Sequence, residues 1–225
     1  AVLADRGAAA VANARLYANL EGSIEETLDA LATAIDKLDP YTAGHSDRVS
    51  TYAGILAEAI DLSPEEVERV KRSAAMHDIG KIGCHLNLNK PGKLTAAEYE
   101  EFKKHPVYGR EILAPITSLR PLLDGVHLHH ERMDGHGYPL GLEGEAIPLQ
   151  ARIICIADSY DAMTSDRAYR RALTHEAAVA ELRRCSGTQF DEALVEPFVE
   201  GLEAWRAARA AAGATGYIRA IDSDT

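Results

Sequence analysis

The chain has 225 residues, 46% of them apolar, which suffices to bury the core of one domain with a helical appendage. A net charge of −11 with scattered lysines and arginines excludes a basic stripe that tracks the phosphates of DNA. The three separated cysteines, Cys84, Cys155 and Cys185, exclude a disulfide framework and point to the reducing cytoplasm.

No uncharged apolar run reaches the length of a membrane span, and no basic-then-apolar signal segment opens the chain, so no membrane contact is expected of this stretch. The start at Ala1, without methionine, suggests a piece of something longer. From there the pattern reads as helical nearly throughout. Leu20, Ile24, Leu28, Leu31, Ile35 and Leu38 recur at steps of three and four and predict a long helix ending near Asp39-Pro40. Leu56, Ile60 and Leu62 mark the next helix. Ser63-Pro64-Glu65-Glu66 is a capping box with proline at the first helical position, opening a helix toward His77. Asn89-Lys90-Pro91-Gly92-Lys93 reads as a turn, and Thr95-Ala96-Ala97-Glu98 as a second capping box whose helix runs to His105. Residues 151–163 are helix-permissive, although Ile153, Ile154 and Ile156 alone could pass for a buried strand; helix is preferred because strand-like alternation appears nowhere else. Residues 204–214 are alanine-rich and helical in propensity, and Gly213 onward is expected to fray.

Against this helical background the histidines cluster. His45 lies in Gly44-His45-Ser46-Asp47, His77 precedes Asp78, and His129-His130-Glu131 follows His127. An imidazole and a carboxylate at the end of an apolar helix are costly to bury without partners, and a metal ion is such a partner. Neutral imidazoles and carboxylates suit iron, manganese or zinc, and Asp78 could bridge two ions about 3.5–4 Å apart. A single histidine, or an HD pair taken alone, reads more simply as a hydrogen-bonded core or surface residue; the set together does not.

His77-Asp78-Ile79-Gly80-Lys81, and His129-His130-Glu131 with Asp134-Gly135-His136-Gly137-Tyr138-Pro139, resemble the two signatures of the HD-GYP branch of the HD phosphohydrolases. Asp39-Pro40-Tyr41-Thr42-Ala43-Gly44-His45-Ser46, Lys90-Pro91-Gly92-Lys93-Leu94-Thr95, His105-Pro106 with Gly109, and the run from Ala157-Asp158 to Arg167 resemble further stretches in family order, so residues 25–202 are covered. The resemblance implies an all-α HD-domain helical bundle that hydrolyses cyclic di-GMP to pGpG or GMP. It assigns His45, His77, Asp78 and Asp158 to one metal, and Asp78, His105, His129 and His130 to a second. By that reading a metal-bridging hydroxide attacks the phosphodiester, with Asp78 and Lys81 as catalytic residues. Lys81, Arg167, Arg170 and Tyr138 would contact substrate, and Glu131 and Asp134 would orient the histidines. Gly135 and Gly137 permit positive φ, so the loop can form a fixed wall beside the metals. His85, His127, His136 and His175 are left outside the site.

Two departures from the pattern carry consequences. Tyr41 stands where members with three metals carry glutamate, so two divalent ions are expected, iron or manganese by resemblance, with zinc, nickel or cobalt compatible. The Cys84–Asn89 loop is shorter than usual, and Cys84 and His85 there could be adventitious ligands. Asn13-Ala14-Arg15-Leu16-Tyr17 resembles the closing helix of a GAF sensor domain. The expected division is a linker and coiled-coil signalling helix over 1–24, a catalytic domain over 25–212 and a flexible tail over 213–225. Leu16, Leu20 and Ile24 are expected at a homodimer contact, and Leu28, Leu31, Ile35 and Leu38 against their own domain. The Asp134–Pro139 loop could also receive a signalling protein. The alternatives are an HD hydrolase of another nucleotide and a catalytically idle binding module; the filled ligand positions disfavour the latter.

Overall fold

The computed structural model describes residues 12–13, 15–16, 22, 24, 26–28, 30–37, 44–86, 94–166 and 171–221, the last nine as backbone. Among the described residues the fold is all-α, with no strand and only two isolated bridges, Asp134 with Glu143 and Ser186 with Phe190. The helices are α1 (His45–Ala59), α2 (Pro64–Met76), α3 (Ala96–Phe102), α4 (His105–Leu113), α5 (Leu123–Leu128), α6 (Leu149–Thr164), α7 (His175–Arg184) and α8 (Glu192–Ile221). Short 3-10 turns lie at Ile79–Gly83, Thr117–Leu122 and Gly144–Ala146.

Both capping boxes form. The Ser63 hydroxyl accepts from the Glu66 amide while Glu66 accepts from the Ser63 amide, and Thr95 and Glu98 do the same. These reciprocal bonds satisfy amide donors that a helix start otherwise leaves unpaired. Residues 151–163 are helical, and Ile153, Ile154 and Ile156 are all fully buried. That explains the ambiguity: α6 is buried on nearly every side, so its apolar run lacks a one-faced period.

Three boundaries differ from expectation. α1 starts at His45 and ends at Ala59, so Ile60 and Leu62 lie beyond it, in a turn where Asp61 takes φ +58°. The helix opened by Thr95 stops at Phe102, and His105 begins a separate helix. Pro106 lacks the amide hydrogen that a continuous helix needs, so the chain restarts there and His105 sits at a helix start. At the other end, α8 continues past Gly213 to Ile221.

The principal core joins α1, α2, α6, α7 and α8 through residues such as Val49, Leu56, Val70, Ile156, Leu182 and Phe198. Each large apolar side chain buried there contributes roughly 1.5–3 kcal/mol. A second cluster sets Leu28, Ala32 and Ile35 of the N-terminal helical residues against Met76, Ile79, Leu113, Leu122 and Val126. Leu28 and Ile35 pack on the domain as expected. Leu31 is 38% exposed instead, because the buried face passes through Ala32. Ile24, expected at a dimer contact, packs against the same cluster, whereas Leu16 is 65% exposed. Leu20 and Leu38 lie outside the described residues. Met76 and Ile79 belong to the second cluster, and the His77-Asp78 pair between them is thereby fixed at the seam of the two cores.

Candidate metal centre

Four histidines reach this seam from different elements, and in each the Nδ1 atom is engaged away from the centre. His77 Nδ1 lies 2.6 Å from the Ala74 carbonyl, and His105 Nδ1 2.9 Å from that of Phe102. His129 Nδ1 lies 2.9 Å from the Val126 carbonyl. His45 Nδ1 lies 2.7 Å from Asp161 Oδ2. Carbonyls and carboxylates only accept, so Nδ1 carries the hydrogen, and wherever the ring is neutral Nε2 is left as a bare lone pair. These Nε2 atoms face one another: His45 and His77 at 3.3 Å, His105 and His129 at 3.2 Å. Between His105 and His129, both held neutral by burial, two lone pairs at that distance repel; a proton on His45 relieves the first pair, and a metal ion can take that role at either. The donor set thus fits metal ions.

Two groups of side chains could each hold an ion, His45 with His77 and Asp78, and His105 with His129 and His130. Asp78 joins them. Its Oδ2 lies 3.3 Å from His77 Nε2 and 3.6 Å from His45 Nε2, while its Oδ1 lies 3.3 Å from His105 Nε2. One carboxylate therefore offers one oxygen to each group, which is the arrangement a bridging ligand needs. Asp158, from α6, extends the first group with Oδ1 at 3.4 Å from His45 Nε2. All seven ligand positions expected from the sequence are brought together, and each except Asp158 and His130 is buried.

The electrostatics differ across the centre. Burial drags His45 down, but the carboxylates of Asp161, Asp78 and Asp158 outweigh it and raise the pKa to about 9. Burial also opposes ionisation of Asp78, yet His77, Lys81 and His45 hold its carboxyl well below the usual range. On the other side burial dominates: it pushes His105 down to about 3, His130 to about 4 and His129 well below its ordinary value.

Lys81 stands on the 3-10 turn after the pair, and its Nζ lies 2.5 Å from Asp78 Oδ2. It lines a cleft of about 470 Å³ together with His45, Asp78, His130, Asp158 and Gln189. Tyr138 lies with its ring 4.7 Å from that of His130, and its amide donates to the His130 carbonyl. Arg167, Arg170, Tyr41 and residues 87–93 lie outside the described residues.

Glu131 and Asp134 do not orient the histidines. The buried Glu131 carboxylate accepts from the Leu140 and Leu142 amides at 2.7 and 3.0 Å, clamping the loop back on itself. Asp134 is held by Arg132 at 2.6 Å and accepts from the His136 amide, and Arg132 above all keeps its pKa near 2. Gly135 has φ +72°, but Gly137 is needed for space instead: a Cβ there would lie 2.5 Å from the Arg132 amide and Glu131 Cα. Cys84 is buried with its thiol pushed up to about 11, chiefly by burial, and His85 is exposed; neither belongs to the metal-capable groups. His127, His136 and His175 stand outside as expected.

The sequence reading missed two features. Asp161, buried behind His45, is the carboxylate that orients that ring. Its signal was present, since Asp158 and Asp161 are three residues apart on one helix face. The second is Gly80, whose added Cβ would lie 1.8 Å from the His105 carbonyl oxygen and 2.4 Å from the Gly109 amide. Only glycine lets the HD turn press onto α4 and bring His105 to Asp78.

The HD domain family model matches residues 29–194. The cyclic di-GMP phosphodiesterase response regulator RpfG of Xanthomonas campestris pv. campestris is 44% identical over 180 residues, 78% of this chain and 47% of that protein. The 3'3'-cGAMP-specific phosphodiesterase 3 of Vibrio cholerae is 37% identical over 169 residues, 75% of this chain and 37% of its own length. The chain thus spans at most about half the length of these curated relatives. Among solved structures, a cyclic GMP-AMP specific phosphodiesterase of V. cholerae (V-cGAP3) superposes with a TM-score of 0.63 at 20% identity, over 79% of this chain and 48% of that one. That likeness concerns the fold.

Proposed function

Because this chain belongs to the HD domain family, in the HD-GYP branch whose two signatures it carries, we propose that it is a metal-dependent phosphodiesterase that hydrolyses cyclic di-GMP to pGpG or GMP. The observation that carries this reading is Asp78, with one oxygen toward each of two metal-capable groups in the wall of one cleft. Two divalent ions held there, iron or manganese, would supply a water acidic enough to attack at neutral pH and positive charge to offset that growing on the phosphoryl oxygens. His45, His77 and Asp158 would hold one ion and His105, His129 and His130 the other. Lys81, on the cleft wall against Asp78, meets a non-bridging phosphate oxygen and stabilises its charge in the transition state. Tyr138 backs the His130 ring and borders the substrate. Arg167 and Arg170 supply further phosphate contacts. In the whole protein the N-terminal helix, with Leu16 exposed, pairs with a second copy, and the Asp134–Pro139 loop offers a surface to a signalling partner.

A second substrate, 3'3'-cGAMP, is favoured by the 37% identity to a phosphodiesterase named for it. The test is metal content of anaerobically purified protein with turnover of both cyclic dinucleotides, using the His77→Ala, Asp78→Ala double variant as control. About two equivalents of iron or manganese and a linear product, both lost in the variant, are expected. Bound metal with no turnover of either substrate would move the protein to the binding modules.

A further inference from the structure

His45 and Asp158, which face the metal centre, stand on α1 and α6, and one turn further along each helix is a second polar residue, Arg48 and Asp161. This second pair forms a clamp behind the first. Arg48 Nε donates to Asp161 Oδ1 at 2.6 Å and its Nη2 to Oδ2 at 3.1 Å, a two-pronged guanidinium–carboxylate pair. The same Nη2 donates to Ser165 at 3.2 Å. Asp161 Oδ2 in turn accepts from His45 Nδ1 at 2.7 Å. Exposure falls steeply along the chain, from 37% for the Arg48 side chain to 1% for Asp161 and 2% for His45. The arginine opens on a cleft of about 320 Å³ with Tyr52, Tyr160, Trp205 and Arg206, distinct from the cleft that contains Lys81 and Asp158.

We propose that Arg48 is a positioning residue that fixes His45 through Asp161 and thereby sets the affinity of one metal position, the one shared by His45, His77 and Asp78, without acting on the other. The reading rests on the metal centre proposed above. Without the arginine, Asp161 would keep only His45 and the long bond from the Ser165 hydroxyl at 3.4 Å, both on Oδ2, so its Oδ1 would be uncompensated and the carboxylate free to turn. The arginine fork locks its plane, so the imidazole hydrogen has one direction to point and Nε2 has one direction to bind. His105 and His129 of the other group gain the same fixity from backbone carbonyls three residues back, which no side-chain substitution removes. The clamp therefore acts on one half only.

The test is a titration of the metal-free full chain with Co²⁺, following visible absorption and competition with a chelator, for wild type, Arg48→Ala, Arg48→Lys and Asp161→Asn. In Arg48→Ala one of the two equivalents is expected to weaken by about 10–100-fold, the typical effect of losing a ligand's orienting partner, while the other is unchanged. Arg48→Lys restores one prong and falls between. Should Arg48→Ala not fold, Arg48→Lys carries the test with the same signature at smaller size. A folded variant that binds both equivalents as wild type does, or loses both alike, overturns the proposal while leaving the metal centre intact. Failure of wild type to bind Co²⁺ overturns both together.

Discussion

The two halves of the centre solve the same problem with opposite chemistry. Around His45 and His77 the ligands are organised by charge: Asp78, Asp158 and Asp161 surround the imidazoles and lift His45 to about 9 despite its burial. Around His105, His129 and His130 burial outweighs the pull of Asp78 and Asp158, and the rings are held neutral with pKa values of about 3 for His105 and about 4 for His130. The imidazole half is thus ready to bind as it stands, whereas the carboxylate half holds a proton that a metal must displace. Asp78 belongs to both and is what makes them one site.

The strongest way to break the comparison is to separate the halves mechanically. Gly80 lies against the backbone of α4 so closely that any Cβ meets the His105 carbonyl oxygen at 1.8 Å, and backbone cannot turn aside as a side chain can. Gly80→Ala is expected to push α4 away, cost roughly 1–3 kcal/mol or more of stability, and cut turnover by about 10²-fold or more, the scale of losing one transition-state contact. The carboxylate half should keep its metal. Gly83→Ala is the comparator, since the atoms nearest its Cβ belong to the Tyr108 side chain, at 2.9 Å, and not to backbone. Metal counting and turnover on both variants decide the matter; loss of both metals in Gly80→Ala would mean that the halves are not separable.

A milder contrast is expected from pH. At neutral pH metal-free His45, with its pKa near 9, is protonated, so affinity at the carboxylate half should fall about tenfold per unit as pH drops below 9, one proton being displaced. His105 and His130 are already deprotonated, so affinity at the imidazole half should stay flat from pH 8 to about 5. The stability of the metal-free protein carries both signs. The depressed histidines lose stability as pH falls below the ordinary 6.5, because the unfolded chain takes up protons that the folded one refuses. The raised His45 contributes stability that is complete below 6.5 and is lost as pH rises through about 9. Metal dissociation constants measured across this range check the slopes, and equal slopes for both equivalents would sink the distinction.

How much of this was legible depended on whether the signal was local. Capping boxes are written within four residues, and both formed as read. His77-Asp78 and His129-His130 are adjacent in sequence, so their clustering is visible without a fold. His105 stands by itself in the chain, and only the family resemblance placed it; what brings it to Asp78 is the contact of Gly80 with α4, a tertiary fact. The orienting partners were the least legible. Carboxylates next to the histidines in sequence, Glu131 and Asp134, looked like their supports, but they bind loop amides and Arg132. The real supports are backbone carbonyls three residues back, which no side-chain pattern reveals, and Asp161, which is 116 residues from His45.

The smallest expected effect concerns the entry to α1, and it asks whether the carboxylate half is held from its N-terminal side as well as from behind. Asp36, at the end of the N-terminal helical residues, is buried and accepts from the Ser46 hydroxyl at 2.7 Å and from the Ser46 amide at 3.3 Å. It thus acts as a cap supplied from outside the helix, one residue from His45, where Gly44 offers no side-chain bond of its own. Loss of a cap costs roughly 0.5–2 kcal/mol, and fraying of the first turn would loosen His45 without removing any group that touches it. Asp36→Ala is therefore expected to lower the melting temperature by a few degrees, on the order of 2–8 °C for this cost, and to weaken only the metal at the carboxylate half, by less than Arg48→Ala does. Asp36→Asn, which keeps an acceptor oxygen, should recover most of the loss. Calorimetry and cobalt titration of the two variants measure both effects. If Asp36→Ala weakened the imidazole half instead, the N-terminal residues would be acting through the Met76–Ile79 cluster, and the route from that helix to the site would have to be redrawn around His77.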